Sequence, residues 1–496
     1  MLNETEKLNA LMDLGIKLNQ VQDLDILMEH LLTEARRFVN ADAGTIYVRD
    51  KDSLHFTYTQ NDTLQQRLGN GEKLIYSAFS VPINSKTIAG YVASEGSSLN
   101  ILDVYEMESG ASYAFGKEFD QKVDYRTRSM MTLPLRVGNG DVLGVLQIIN
   151  AQDASGNVIA FSDQDQKMMM LFASFAAVAL ERAQMIRALL LRMIRMAEMR
   201  DPNETGPHVN RVAAYSVELY ERWAKRHSVP EMEIDRNRDI LRRAAMLHDV
   251  GKVAIPDRLL QKPGRFTKSE FLVMKLHTIR GAQLFSDRQS DFDDMAREVA
   301  LNHHERWDGK GYPGEVDIGA YASLNIQKML EDSHDGADES VIQRIENILT
   351  NGKQKEEIPI FARIVALADV YDALSSKRSY KEACSEKEVC TIIEKEAGAQ
   401  FDPELVEIFL SNSCMSMFRS IQQRYKDHPQ ELAYVMKVNC NSSPAANKIP
   451  EMKNIQDLLK SSRFQFKKSD MDACGPAIKE LVQIGTDDNS LQHGIG

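Results

Sequence analysis

Five of the eleven histidines in this 496-residue chain fall on segments patterned as helices, alongside two aspartates in apolar company. His248-Asp249 closes the run Ile240-Leu-Arg-Arg-Ala-Ala-Met-Leu247, and Gly251 stands where a helix C-cap belongs. Thr267-Lys-Ser-Glu270 reads as a capping box opening a helix that carries His277. A further helix ends in His303-His304-Glu305, two histidines whose side chains would point about 100° apart on an ideal helix. Ile364-Val-Ala-Leu-Ala-Asp369 puts an acid on an otherwise apolar helix. His208 follows Gly206-Pro207, with Pro207 expected as the first helical residue. A lone helical histidine is more often a core or surface residue than a ligand. Taken together, however, these groups would leave several polar side chains in one core without partners unless they serve a common purpose. Imidazoles and carboxylates without thiolates suit iron, manganese or nickel better than structural zinc.

The elements that must position these residues divide the chain into unlike parts. Residues 1–20 form a helical lead, with Leu8, Leu11, Met12, Ile16 and Leu18 at roughly helical spacing. Residues 21–162 mix periods. An amphipathic helix from Leu24 to Val39 precedes strand-like pieces at Gly44–Val48, Leu54–Tyr58, Ser129–Leu135 and Val142–Ile149, and Gly138-Asn-Gly-Asp141 forms a turn before the last. That alternation predicts an α+β module with an antiparallel sheet. A long helix without Gly or Pro follows from Ser162 to about Arg200, connecting (163–200) to a predominantly helical region at 201–437. The fold class expected is therefore multidomain: an α+β domain, a connecting helix, then an all-α domain. The tail at 438–496 offers no readable chemistry.

Composition excludes several functions. A net charge of −12 argues against general nucleic-acid binding, which needs a broad basic footprint. The longest nearly apolar run, Met168 to Leu180, is too short to cross a bilayer, so no membrane partner is expected. The opening Met-Leu-Asn-Glu-Thr-Glu-Lys lacks a basic start followed by an apolar stretch, so no signal peptide is expected. Five cysteines, none in a CxxC pair, read as reduced thiols, with the cytoplasm as the expected location.

The segment 21–162 resembles a GAF domain. Ala41-Asp-Ala-Gly-Thr-Ile-Tyr47, Ile88-Ala-Gly-Tyr-Val92, the paired Leu-Pro-Leu and Gly-Val-Leu strands, and Phe161-Ser-Asp-Gln-Asp165 carry the resemblance. Some GAF domains that bind cyclic nucleotides carry Asn-Lys and Phe-x-x-x-Asp-Glu. Here Asn150-Ala151 and Phe161 through Asp165-Gln166 stand there, so the Lys and the Glu are missing. Phe161 is expected in the core, and Asp163 or Asp165 at the helix start; the resemblance implies a sensor without naming its ligand.

The helical region resembles the HD phosphohydrolases, and within them the HD-GYP family. The carriers are Arg200-Asp-Pro202, His208, His248-Asp-Val-Gly-Lys252, His277, His303-His-Glu-Arg-Trp-Asp-Gly-Lys-Gly-Tyr-Pro313, Ala368-Asp-Val-Tyr-Asp-Ala-Leu374, Lys377-Arg-Ser-Tyr-Lys381 and Phe401-Asp-Pro403. By this resemblance the metal ligands are His208, His248, Asp249, His277, His303, His304 and Asp369, holding two or three divalent transition metals, with iron first and manganese or nickel as alternatives. Glu204, four residues before His208, matches the ligand of a third metal in some members. Asp249 is the natural bridging carboxylate and, with Lys252, the catalytic pair; Lys252 also meets substrate phosphate, as do Arg378 and Lys381, while Tyr312 approaches the ligand. The implied activity is hydrolysis of cyclic di-GMP to linear pGpG, or onward to GMP. The alternatives are hydrolysis of cyclic GMP-AMP and a catalytically weak receptor; an HD nucleotidase is disfavoured by Gly-Tyr-Pro. The implied partners are the cyclic dinucleotide and, through the Gly-Tyr-Pro loop, a diguanylate cyclase or other signalling protein. In the family an Ile-Pro pair closely follows Gly-Tyr-Pro. Here it is Ile358-Pro359, implying an insertion at about 315–355.

The connecting helix carries its own pattern. Phe172, Ala176, Ala179, Ala183, Ile186, Leu190, Met193 and Ala197 alternate spacings of four and three, with Arg182, Arg187, Arg192 and Arg195 beside them. A sustained heptad of this kind predicts a homodimer through residues 172–197.

Overall fold

The computed structural model describes residues 4–68, 80–108, 110–200, 206–319, 339–349, 351–376 and 383–427. The sheet of the N-terminal domain comprises β1 (Ala41–Asp50), β2 (Ser53–Asn61), β3 (Ser80–Pro82), β4 (Leu99–Ile101), β5 (Met130–Arg136), β6 (Val142–Gln152) and β7 (Val158–Ile159). Its order is β3-β2-β1-β6-β5-β4, with β7 pairing β6, and all neighbours run antiparallel. In the central strands Ile46 stands opposite Leu146 and Leu133 opposite Leu146 on the other side, which places three aliphatic side chains in one row. Helices α1 (Glu4–Leu18) and α2 (Leu24–Phe38) cover this face, while α3 (Asp62–Gln66), α4 (Ile88–Glu95) and α5 (Glu118–Val123) lie between strands. The α2 helix forms where the sequence pattern demands it. Asp23 caps its N-terminus by accepting from the amides of Asp25 and Ile26, and Ile26, Leu27, Leu31, Leu32 and Ala35 bury one face.

Helix α6 (Asp163–Glu198) begins at a capping box of Ser162 and Asp165, and Phe161 is buried just ahead of it. Its 36 residues span about 54 Å and belong to two cores in turn. Phe172, Ala176, Ala179 and Ala183 pack with Leu27 and Leu31 in the N-terminal domain, whereas Leu190, Leu191 and Ile194 pack with Val209, Val212 and Leu241 in the helical domain. This corrects the heptad reading: most of that seam faces its own chain, with Ala176, Ala179 and Ala183 all 0% exposed. The alanines are small because neighbouring elements approach closely there. By length and composition this helix is apolar enough to cross a membrane, yet 44% of the stretch is buried inside the protein. Apolar side chains left outward on this helix include Val178, Met185, Leu189 and Met196, together with Met170, Leu171 and, from the seam, Met193.

The helical domain follows as α7 (Gly206–Arg226), α8 (Glu231–Met246), α9 (Asp257–Leu260), α10 (Lys268–Gln283), α11 (Asp291–Asn302), α12 (Glu339–Ile348), α13 (Ile360–Ser375), α14 (Glu386–Lys395), α15 (Pro403–Leu410) and α16 (Asn412–Asp427). Tyr215 of α7 anchors its core, stacked on Phe418 at 4.3 Å and edge-on to Tyr371 at 5.0 Å. Within the region of the insertion, α12 lies against α10, with Ile345 buried beside Leu272, Val316 and Ile348. Two local expectations need correction. Gly206, not Pro207, is the first residue of α7. Gly251 is no C-cap: α8 ends at Met246, and Gly251 sits in a 3-10 turn, Val250–Ala254, without a positive φ. Glycine is needed there because a Cβ would stand 1.9 Å from the carbonyl oxygen of His277 on α10.

The two domains are joined by a buried polar lock at the start of α2. Asp239 Oδ1 on α8 accepts from the backbone amides of Gln22 (2.8 Å) and Asp23 (2.6 Å). The Asp25 carboxylate is contacted by Arg187 of α6 (3.1 Å), Arg424 of α16 (2.9 Å) and Arg242 of α8. Glu29 pairs with Arg238 at 2.7 Å. Burial alone would push the Asp25 carboxyl up, but Arg242, Arg424 and Arg187 outweigh it and hold it far below the usual carboxylate range. Stability from this shift is therefore present above the unfolded value of about 3.9 and is lost as acid protonates the folded group. Replacing Asp25 with Ala removes the carboxylate shared by three guanidinium groups, of which Arg242 is buried, and is expected to cost about 3 kcal/mol at neutral pH. Denaturant unfolding should then separate into two transitions, one per domain; a single transition with an unchanged midpoint would refute the lock.

Candidate metal centre

The chain turns sharply after α8, and this turn delivers His248 and Asp249 into the core of the helical domain. His277 arrives from the middle of α10, whose capping box of Thr267 and Glu270 forms as expected. His303 is the cap residue of α11 and His304 the residue beyond it. Because the helix ends there, the two rings are not held to helical angles and sit 4.2 Å apart, centroid to centroid. Asp369 comes from α13 and His208 from the first turn of α7.

Their ligand atoms gather in two groups, each within 4.8 Å: Asp249, His277, His303 and His304, and separately His208, His248 and Asp369. Asp249 stands between them. Its Oδ1 faces His277 Nε2 at 3.1 Å and His303 Nε2 at 3.5 Å, whereas its Oδ2 faces His248 Nε2 at 3.3 Å. In the second group His208 Nε2 lies 3.4 Å from Asp369 Oδ1.

The protonation pattern suits metal binding. His248 Nδ1 meets the Ala245 carbonyl at 2.8 Å, His277 Nδ1 that of Met274 at 2.7 Å, and His303 Nδ1 those of Val299 and Ala300 at 3.1 Å each. A carbonyl can only accept, so each Nδ1 carries a proton, and Nε2 is the atom each ring turns toward the cluster. Burial, and then His303 and His277, hold His304 well below the ordinary histidine range, and burial likewise lowers His303. Imidazoles and carboxylates, seven side chains from five segments, form a donor set for adjacent divalent ions of the hard or borderline kind.

Around the cluster lie groups of two sorts. Lys252, in the 3-10 turn, places Nζ 2.9 Å from Asp249 Oδ2. Tyr312 stacks on His304 at 4.9 Å, and burial followed by the Asp249 charge raises its pKa, so the phenol stays protonated. Lys275 Nζ stands 5.1 Å from the centre of the Tyr312 ring. Glu204, Arg378 and Lys381 lie outside the described residues.

Three functional neighbours went unassigned at the sequence level. Asp372, one helical turn after Asp369, accepts from His208 Nδ1 at 2.8 Å and from Arg211 at 2.6 and 2.8 Å. Burial pushes its carboxyl up, but the hydrogen bonds from Arg211 and His208 prevail and bring its pKa below the ordinary value. The signal was present in the spacing, since both Asp369 to Asp372 and His208 to Arg211 are i, i+3 pairs on helices. Glu305 is buried beneath the Gly-Tyr-Pro loop, accepting from the amides of Gly314 (2.6 Å) and Lys353 (3.0 Å), and thus ties both ends of the inserted region together.

A second cavity, of about 280 Å³, lies in the N-terminal domain and is lined by Thr45, Tyr47, Thr59, Gln147, Glu118 and Asp120 among others. Among the described residues its wall carries no Lys, Arg or His, which disfavours an anionic occupant. Asn150 is engaged structurally, donating to Tyr125 and the Arg126 carbonyl and accepting from the Arg128 amide.

Comparison with known proteins divides along the same line. The GAF domain family matches residues 23–180 and the HD domain family residues 205–374, with a further HD match at 349–405. Among curated relatives, a cyclic di-GMP phosphodiesterase of Vibrio cholerae is 34% identical over 62% of this chain and 53% of its own length. A 3'3'-cGAMP-specific phosphodiesterase of the same organism is 31% identical over 51% of this chain and 41% of its own. A cyclic di-GMP phosphodiesterase of Thermotoga maritima is 38% identical over 34% of this chain and 35% of its own. The chain thus spans about half the length, or less, of the curated relatives it matches.

The Asp372 contact generates a test. Asp372→Asn keeps the shape but removes the charge that orients His208, and is expected to weaken metal retention about 10- to 100-fold. Competition against a chelator measures this, with circular dichroism confirming the fold; retention equal to wild type would show that Asp372 merely pairs with Arg211.

Proposed function

As a GAF domain followed by an HD domain, the chain is, we propose, a metal-dependent phosphodiesterase of the HD-GYP type that hydrolyses cyclic di-GMP under control of its N-terminal domain. The observation that carries this reading is Asp249, whose two oxygens face two separate groups of imidazoles while Lys252 stands beside it. The ions would be held by His208, His248, Asp369, Asp249, His277, His303 and His304, with iron preferred and Glu204 reserved for a third. When bound, adjacent cations lower the pKa of water and neutralise phosphate charge.

The side chains supply the rest. Asp249 joins the two halves of the site, and Lys252 offers an ammonium group to a non-bridging phosphate oxygen as charge develops. Tyr312, protonated and stacked on His304, forms one wall against the dinucleotide. Arg378 and Lys381 are assigned to substrate phosphate on the resemblance alone. Water adds to phosphorus and the P–O3′ bond breaks, so the ring opens to pGpG with its 5′-phosphate, and a second round would give GMP. The cGAMP-specific relative supports a second reading, in which the substrate is the mixed cyclic GMP-AMP.

Control by the GAF domain is supported by α6, which is shared between both cores, and by the lock at Asp25. Self-association is reassigned to the outward row of Val178, Met185, Leu189 and Met196, spaced by seven, four and seven residues, a coiled-coil pattern distinct from the inward seam.

Two experiments test these readings. Protein purified anaerobically should contain at least two transition-metal ions per chain and convert cyclic di-GMP to linear product on chromatography. Asp249→Ala should lose at least about 100-fold in rate, and parallel assays with cyclic GMP-AMP separate the two substrates. A metal-loaded wild-type protein that opens neither ring would overturn the activity. Separately, Leu189→Asp with Met196→Asp should yield monomers by light scattering while leaving the fold intact; a wild-type chain that is itself monomeric would remove the dimer.

A further inference from the structure

We propose that Arg200 is a positioning residue for the reaction, setting the placement of Lys252 from the end of the connecting helix. The inference rests on the phosphodiesterase reading above. The 3-10 turn Val250–Ala254 carries Lys252 and directly follows Asp249. The turn is short and its 3-10 hydrogen bonds have poorer geometry than α-helical ones; at its ends the Lys252 amide donates to the Asp249 carbonyl at 3.0 Å and the Ile255 amide to the Lys252 carbonyl at 2.9 Å. It therefore needs support from outside.

One support is α10, against which Gly251 is pressed with no room for a side chain. The other is Arg200. Its Nη2 donates to the Ile255 carbonyl at 3.0 Å, its Nη1 to the Val253 carbonyl, and its Nε to Asp257 Oδ1 at 2.9 Å. A single guanidinium thus spans the exit of the turn and the start of α9. Arg200 is in turn tied to α6, because its own amide donates to the carbonyl of Ala197, a residue buried in the same helix.

The chain of contacts is short: GAF core, α6, Arg200, the Val253 and Ile255 carbonyls, Lys252. A lysine at position 200 could not reproduce it, since a compact ammonium group lacks the planar fork that reaches two carbonyls and a carboxylate at once. Arg200 touches neither Asp249 nor the imidazoles in the described contacts, so its loss should leave the metal donors in place. What shifts is the ammonium group that meets the phosphate, and a misplacement of about 1 Å is enough to lower turnover about 100-fold.

The test is a double-mutant cycle in the full-length, metal-loaded protein, with Arg200→Ala, Arg200→Lys, Lys252→Ala and the Arg200→Ala/Lys252→Ala double variant. Arg200→Ala is expected to lower kcat by about 10- to 100-fold, with metal content unchanged, and Arg200→Lys should fail to restore it. In the Lys252→Ala background the Arg200 substitution should change kcat less than about twofold, because its effect passes through Lys252. Independent, additive losses would overturn the proposal, as would a loss of metal. Two readouts separate its failure from that of the substrate assignment. Bis(4-nitrophenyl) phosphate, a generic diester, replaces the cyclic dinucleotide in the same cycle. Hydrogen exchange across residues 250–256 needs no turnover at all: protection should fall in Arg200→Ala, and unchanged protection would end the proposal.

Discussion

Asp249 is a carboxylate held in the interior of a helical domain, and burying such a charge costs several kcal/mol unless other groups compensate it. Around that constraint the domain is arranged. Imidazoles from the turn after α8, from α10 and from the C-cap of α11 turn their Nε2 atoms toward its oxygens, and their Nδ1 atoms are committed to main-chain carbonyls one turn back. The helices are thereby placed by two requirements at once, apolar packing on one face and convergence of donor atoms on the other. A cluster of imidazoles around acids is a donor set for divalent cations, and that chemistry explains why polar residues appear where the hydrophobic pattern alone would place leucines.

His208 enters the site differently. Its Nδ1 meets a carboxylate, Asp372, which is itself gripped by Arg211. A carboxylate partner makes an imidazole a stronger donor than a carbonyl partner does. The second group of the site is thus mixed in its surroundings, with His248 held by a backbone carbonyl and His208 by a buried ion pair. His304 and Tyr312 are stacked together at one edge of the cluster.

The relation between the domains follows from α6. A helix whose first half completes one core and whose second half completes another cannot rotate without disturbing both. The Asp25 lock strengthens that union at a point far along the chain, since residues near position 25 meet α8 and α16. A ligand that binds one arrangement of the GAF cavity better than another would have a mechanical route to the helical domain, which is what coupling between sites requires.

Much of this was legible from local patterns. The capping box at Thr267, the acid Asp369 on an otherwise apolar helix, and the adjacent pairs His248-Asp249 and His303-His304 each depend on spacing along one segment, which the sequence carries by itself. The direction in which a helix presents its apolar stripe does not. The heptad from Phe172 to Ala197 has the same period whether its partner is a second chain or its own domains, and only the packing showed Ala176, Ala179 and Ala183 turned inward. For the same reason Gly251 looked like a cap. Its need for glycine arises from a carbonyl on α10, more than twenty residues away in sequence, and no local pattern records that approach. Asp372, Arg211 and Arg200 are likewise ordinary helix residues until folding brings their partners within 3 Å, because a hydrogen bond across elements is a property of distance in space.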